Sequence, residues 1–245
     1  MRIISIANQK GGCGKTTTAI NLSAGLAHEG RKVLLIDLDP QGHAAMGLAV
    51  DTNNLEKTVH DVLGDAEGIN SVLDEVIVKV NKNIDIAPSN IELSLFEQKL
   101  SMIPGRENRL KEAIAGLCRS YDYIIIDCPP SLGLLTFNAL MAATEIFVPI
   151  EMGLFSLHGT WRLLEILDLI REKTGREIRV KVIATLFNQR TKIAKEVLKE
   201  IEDHFADSMF KTVIGSSVTL REAAGYGRSI YDYAKKSKAC NDYMA

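Results

Sequence analysis

The stretch Asn8–Thr18 reads NQKGGCGKTTT and brings three glycines, two lysines and three threonines together. This is chemistry for phosphate. Glycines let backbone N–H groups turn inward around anionic oxygens, and a helix opening at this point adds its positive end. The helix field alone contributes about 0.3–1 kcal/mol, whereas micromolar nucleotide binding requires about 8 kcal/mol. A lysine ammonium and a magnesium ion must therefore share the load, with Lys15 and the Thr16 hydroxyl as their agents. The common spacing GxxxxGK[ST] is not met, because Gln9 stands where its first glycine belongs. The pattern is KGGxGKTT, and the usual loop has a task for only one of its lysines. A glycine-rich turn with solvated lysines is the bland alternative; a strand before it and a helix after it argue against that.

Magnesium needs oxygen ligands. LLIDLDPQG closes an apolar run with Asp37 and Asp39, and YDYIIIDCPPS closes another at Asp127. If these runs are neighbouring strands, carboxylates stand beside the loop and can hold magnesium through water. One strand-end aspartate is often a helix cap or turn residue. Two such strand ends behind a phosphate loop are a less ordinary coincidence.

Such residues need strands that end at one edge. RIISIA, KVLLIDL, NIDIAP, YDYIIID, EIFVPI, IRVKVIATLF and MFKTVI predict strands, several of them apolar without alternation, as strands covered on both faces should be. Helical spacing occupies Thr16–His28, Arg106–Arg119, Leu132–Ala143, Ser156–Lys173 and Lys192–Phe205. In the last, Ile193, Val197, Leu198, Ile201 and Phe205 form one face, with Lys195, Glu196, Lys199 and Glu200 opposite. The alternation predicts one α/β domain over residues 1–245: a mainly parallel twisted sheet with helices on both faces, binding its ligand at the carboxyl ends of the strands. The stretch from about Gly42 to Asn83 is the least regular and is expected to move.

Hydrophobic residues at 46% and charged residues at 24% fit a soluble globular chain. A net charge of −2 excludes a globally basic nucleic-acid binder, but the charge is uneven: residues 1–175 carry 16 Lys+Arg against 22 Asp+Glu, residues 176–245 carry 13 against 9. Cys13, Cys118, Cys128 and Cys240 show no CxxC spacing, so reduced thiols in a cytosol are expected rather than disulfides or a zinc site. The first apolar run, Ile3 to Ala7, is too short for a signal peptide. No run approaches the roughly 20 apolar residues of a membrane span.

NQKGGCGKTTTAINLSAGLA, VLLIDLDPQG, YDYIIIDCPPSLGLLTFNAL, PIEMGLFSLHG and SIYDYAKKSKACNDY are spread over nearly the whole chain. Together they resemble the ParA/MinD family of deviant Walker (SIMIBI-type) P-loop ATPases, most of all its ParA (Soj) branch of chromosome and plasmid partition proteins. The resemblance implies that two subunits sandwich two ATP molecules, held by Lys10, Gly11, Gly12, Cys13, Gly14, Lys15, Thr16 and Thr17. It makes Lys10 the lysine that reaches across to the partner's phosphates. Catalytic roles fall to Lys10, Lys15 and Asp39, the last orienting the attacking water, and magnesium falls to Thr16, Asp39 and Asp127. Cys13 stands where valine is commoner; an apolar filler is expected, an oxidation-sensitive thiol the alternative. Asn188 and the loop after Ile214 are candidates for the adenine.

For non-specific double-stranded DNA, Arg190 matches a family arginine. Lys192, Lys195 and Lys199 follow on the next helix, and Arg221 would replace the arginine missing at Thr219. Lys235, Lys236 and Lys238 add a cluster near the end. The implied partners are a second copy, DNA and a ParB-like activator, in a cytoplasmic, nucleoid-associated protein. MinD-like membrane association would need a C-terminal amphipathic helix, which NDYMA does not supply. An ATP-dependent metabolic enzyme on the same scaffold is the alternative from another class. A scaffold without hydrolysis is opposed by Lys10 and Asp39.

Overall fold

The computed structural model describes residues 1–64, 71–100, 102–153 and 156–245. Among them, strands β1 (Arg2–Ile6), β2 (Val33–Asp37), β3 (Val78–Lys79), β4 (Ile84–Ala87), β5 (Tyr123–Asp127), β6 (Glu145–Glu151), β7 (Arg179–Phe187) and β8 (Met209–Gly215) form one sheet. Its order is β3-β4-β2-β5-β1-β6-β7-β8, parallel throughout except for the short edge strand β3. The helices are α1 (Lys15–His28), α2 (His43–Met46), α3 (Val59–Leu63), α4 (Leu73–Val76), α5 (Phe96–Lys99), α6 (Arg109–Ala115), α7 (Leu134–Ala142), α8 (Ser156–Thr174), α9 (Lys192–Phe205), α10 (Val218–Gly225), α11 (Ile230–Tyr233) and α12 (Lys238–Met244).

The central strands are apolar without alternation because each feeds two cores. In β2, Leu34 and Ile36 face one side with α6, α7, α8 and α9; Val33 and Leu35 face the other with α1, α10, α11 and α12. β5 divides likewise, Ile124 and Ile126 against Ile125. Successive side chains point to opposite faces, so a doubly covered strand must be apolar at every position.

All seven expected strands are present, and β3 is an addition whose two residues carry almost no pattern of their own. The helix expected over Arg106–Arg119 is shorter. Residues Arg106–Asn108 form a 3₁₀ turn, and α6 stops at Ala115 before Gly116. Asn138 of α7 explains the break at the first end: buried, it donates to the Arg106 carbonyl at 2.9 Å and accepts from Leu110 N at 3.1 Å. The stretch expected to be irregular, Gly42–Asn83, contains α2, α3, α4 and β3, while its residues 65–70 lie outside the described residues.

The C-terminal segment packs onto α1. Asn21 accepts from Ile230 N at 2.8 Å, the Thr18 and Tyr243 hydroxyls share a hydrogen bond of 3.2 Å, and the Tyr231 hydroxyl donates to the Tyr243 carbonyl at 2.9 Å. A methyl group on Gly25 would collide with that same Tyr231 hydroxyl. Gly25→Ala is therefore expected to cost about 1–3 kcal/mol by overpacking, and Tyr231→Phe in the same chain to recover part of it. Urea unfolding of both single variants and the double variant measures this; strictly additive losses would mean that the two sites are not in contact.

Candidate functional site

The loop between β1 and α1 bends at Gly12 (φ 75°) and Gly14 (φ 89°), left-handed positions where a side chain is strained. α1 follows directly, with no acidic residue in its first turn, so its positive end is left for an external anion. Lys15 is only 6% exposed, and its ammonium donates to the Lys10 carbonyl at 2.9 Å. The Cys13 thiol, fully buried, reaches the same carbonyl at 3.2 Å. Burial pushes that thiol's pKa up, the reverse of what an oxidation-sensitive thiolate requires.

The loop is tied to the right half of the sheet. Asn8 is buried, donates to the Pro149 carbonyl of β6 at 2.8 Å and accepts from Lys10 N at 3.1 Å. The Lys10 ammonium pairs with the Glu151 carboxylate at the end of β6. α8 comes close enough that a Cβ on Gly159 would lie 2.9 Å from the Asn8 side-chain oxygen. From β7, the Thr185 hydroxyl donates to the Cys13 carbonyl at 2.8 Å. The next residue, Leu186, is left-handed (φ 55°) where β7 loses its register with β8. Bulges of this kind re-aim side chains beside functional sites.

The carboxylates come from the left half. Register sets Asp37 of β2 beside Asp127 of β5, and both side chains are buried. Asp37 accepts from Asp39 N at 3.0 Å and Ala44 N at 3.1 Å, so it does the work of a turn and helix anchor. Asp127 has no hydrogen-bond partner on either oxygen. Burial first, and then the charge of Asp37, raise its pKa well above the carboxylate range, with the neighbouring Thr16 hydroxyl pulling the other way. A buried, unpartnered carboxylate beside Thr16 in the first turn of α1 fits a hydrated divalent cation. Asp39 is partly exposed, accepts from Gln41 N at 3.0 Å and receives the Ser89 hydroxyl on its carbonyl.

A cavity of about 430 Å³ opens where β7 and β8 end. Asn188, Arg190, Gly215, Ser216, Lys238 and Asp242 are among its walls, so the candidate adenine residues meet there. Asp242 closes one side by accepting from Gly215 N at 3.0 Å. Of the DNA candidates, Arg190 and Lys238 lie in this wall. Lys192 is exposed and paired with Glu196 at 3.6 Å. Lys195 and Lys199 run outward along α9, Lys199 about 10 Å beyond Lys192 at 1.5 Å per residue. Arg221 on α10 and Lys235 and Lys236 ahead of α12 are exposed and flank two wall segments. No described helix is long and apolar enough to cross a membrane, and α12 buries Ala239 and Cys240. Sequence reasoning overlooked Asn8, Glu151, Gly159, Thr185 and Asp242. PIEMGLFSLHG, which holds two of them, includes Leu154 and Phe155, which lie outside the described residues.

Residues 1–180 match the family model described as "AAA domain". The sporulation initiation inhibitor protein Soj of Bacillus subtilis is 40% identical over 99% of this chain and 95% of its own. A cobyrinic acid a,c-diamide synthase from Mycobacterium smegmatis, solved with ADP and magnesium, superposes with a TM-score of 0.85 at 33% identity, covering 99% of this chain and 91% of the other. A putative plasmid partition protein from Borrelia burgdorferi bound to AMPPNP gives 0.81 at 25% identity, covering 99% and 94%.

The carboxylate pair has a measurable cost in the nucleotide-free protein. Asp127→Asn replaces a buried acid whose ionisation the folded protein resists, and at neutral pH in magnesium-free buffer it is expected to raise stability by roughly 1–3 kcal/mol. A folded pKa above the unfolded one means stability is complete below about pH 4 and is lost as pH rises through the folded value. The variant should therefore also flatten the fall in stability above that pH. An unchanged urea midpoint and slope would refute the strain.

Proposed function

From membership of the ParA/Soj family of partition ATPases, to which this chain belongs, we propose that the protein is an ATP-switched DNA-binding dimer that positions a cargo. The observation that carries the reading is a two-lysine phosphate loop facing an unpartnered, buried Asp127. The partition protein solved with AMPPNP and the synthase solved with ADP and magnesium support Mg-ATP as the ligand.

In this reading Lys15 and the loop N–H groups hold the phosphates of the chain's own nucleotide. Thr16 and Asp127 hold magnesium, with Asp39 beside them, and the bound ion would neutralise phosphate charge. The adenine occupies the cavity of Asn188 and Asp242. Asp39, anchored through its backbone and still partly exposed, orients the attacking water. Lys10 acts across the dimer, a contact in trans of a kind that can be worth roughly 10³–10⁵ in rate.

DNA is gripped around the cavity mouth by Arg190, with Arg221, Lys235 and Lys236 alongside and the α9 lysines extending the surface. The charge excess of residues 176–245 is doubled when two copies present it together, enough for several phosphate contacts. Hydrolysis, stimulated by a ParB-like protein with DNA, ends the grip, in a cytoplasmic, nucleoid-associated cycle. The likeness to a cobyrinic acid a,c-diamide synthase favours a second reading as an ATP-dependent synthetase, which would turn over a small substrate without DNA.

Three substitutions should separate. Lys15→Ala loses nucleotide binding; Lys10→Ala binds ATP but stays monomeric; Asp39→Ala dimerises and hydrolyses poorly. Equilibrium nucleotide binding, light scattering and phosphate release distinguish them, and a Lys10→Ala chain that dimerises normally with ATP would remove the trans role.

DNA retention on a surface, with ATP, ADP or no nucleotide at two salt concentrations, tests the switch. ATP-dependent retention that falls steeply with salt and is lost in Arg190→Glu is expected. Equal retention in all three nucleotide states would overturn the switch, and an unaffected Arg190→Glu would overturn the placement of the DNA.

A further inference from the structure

Lys10 is committed to its own subunit in this structure. Its ammonium pairs with Glu151, its amide is held by the Asn8 side chain, and its carbonyl receives the Lys15 ammonium. Glu151 is the last residue of β6, whose Pro149 carbonyl also holds Asn8. One strand end therefore fixes both the backbone and the charged tip of the loop that carries Lys10. Gly159 of α8, with its room for no more than a hydrogen, presses on the same Asn8 and approaches Lys10 N.

These contacts suit a resting position and oppose any reach outward. Lys10 and Glu151 are about equally exposed, at 30% and 25%, so water can replace the pair at modest cost. A fully buried pair would be strongly resisted in opening. A fully exposed one would be worth little.

We propose that Glu151 is a positioning residue that latches Lys10 in the monomer, so that ATP-dependent pairing of two subunits must first open one Lys10–Glu151 ion pair on each. The inference rests on the trans role of Lys10 given above and goes beyond it by naming the group that competes with the partner's phosphates. The latch sets a threshold: it keeps the lysine from assembling with anything but a strongly anionic partner surface. A nucleotide with its terminal phosphate supplies more negative charge than one without it, and so offsets more of the cost of opening the latch.

The magnitude follows from the geometry. A partly exposed pair is worth roughly threefold in an equilibrium constant, and two open per dimer, so release of both should be worth about tenfold. Glu151→Gln keeps the shape and removes the charge. In Asp39→Ala background, where hydrolysis is slow, its ATP-dependent dimer should form with a dissociation constant about tenfold lower than that of the chain with Glu151. The gain should shrink in high salt, because salt weakens the latch only where Glu151 is present. Glu151→Asp, which keeps the charge on a shorter stem, should fall between. Damage to the fold would weaken dimerisation instead of strengthening it, which separates the latch from a structural role.

Sedimentation velocity across an ATP series, at low and high salt, reads all of this. Equal or weaker dimerisation of Glu151→Gln, or a gain that salt does not alter, would overturn the latch. If the Glu151 chain itself never dimerises with ATP, the dimer reading fails first; if it does so and only the variant effect is missing, the latch alone fails.

Discussion

Two carboxylates are forced side by side at the ends of β2 and β5, and much of the site's logic depends on that pairing. Parallel register sets Asp37 next to Asp127 with no freedom to separate them, because β2 and β5 are both buried on both faces. Like charges so placed destabilise each other wherever water is excluded. The fold relieves only one of them: Asp37 receives two backbone N–H groups, while Asp127 receives none. That asymmetry divides the roles. Asp37 holds the chain that carries Asp39, and Asp127 is left as a buried acid whose ionised form would need a cation.

The loop between β1 and α1 answers from the other side. β1 lies between β5 and β6, at the point where the sheet is built outward in both directions. The loop therefore meets the carboxylates of the left half and the anchors of the right half at once. Lys15 is buried on its own loop, near enough to lower the raised pKa of Asp127. Lys10 points to the right half and Glu151. One lysine is thus inside the charge balance of the subunit and the other is held at its margin by a single ion pair.

The phosphate loop, the two strand-end aspartate segments and all seven of the longer strands were legible because each rests on local pattern. Glycines at left-handed positions, unbroken apolar runs and strand-terminal acids declare themselves without reference to the rest of the chain. The anchors did not. Asn8, Glu151 and Thr185 are ordinary polar residues whose importance arises only when β6 and β7 are laid beside β1. The last three helices were passed over although Ser217, Ser229 and Ser237 cap them, each accepting from an amide three residues on. That signal is present in the sequence, but α11 and α12 are too short to show an amphipathic period. The distinction between Asp37 as anchor and Asp127 as bare acid was beyond sequence altogether, since it turns on which backbone amides each one meets.

The C-terminal segment gives the arrangement its reach. α1 begins at the glycine-rich loop, and residues one and two turns further along, Thr18 and Asn21, hold Tyr243 and Ile230. The exposed lysines before α12 are therefore fastened to the helix that follows the glycine-rich loop. Asp242, beside Tyr243, binds Gly215 N and walls the cavity next to Arg190. A shift of α1 by even a fraction of an ångström cannot be absorbed in a close-packed interior without moving these neighbours. The lysines before α12 and the loop ahead of α1 consequently share one element, as coupling between that loop and that surface would require.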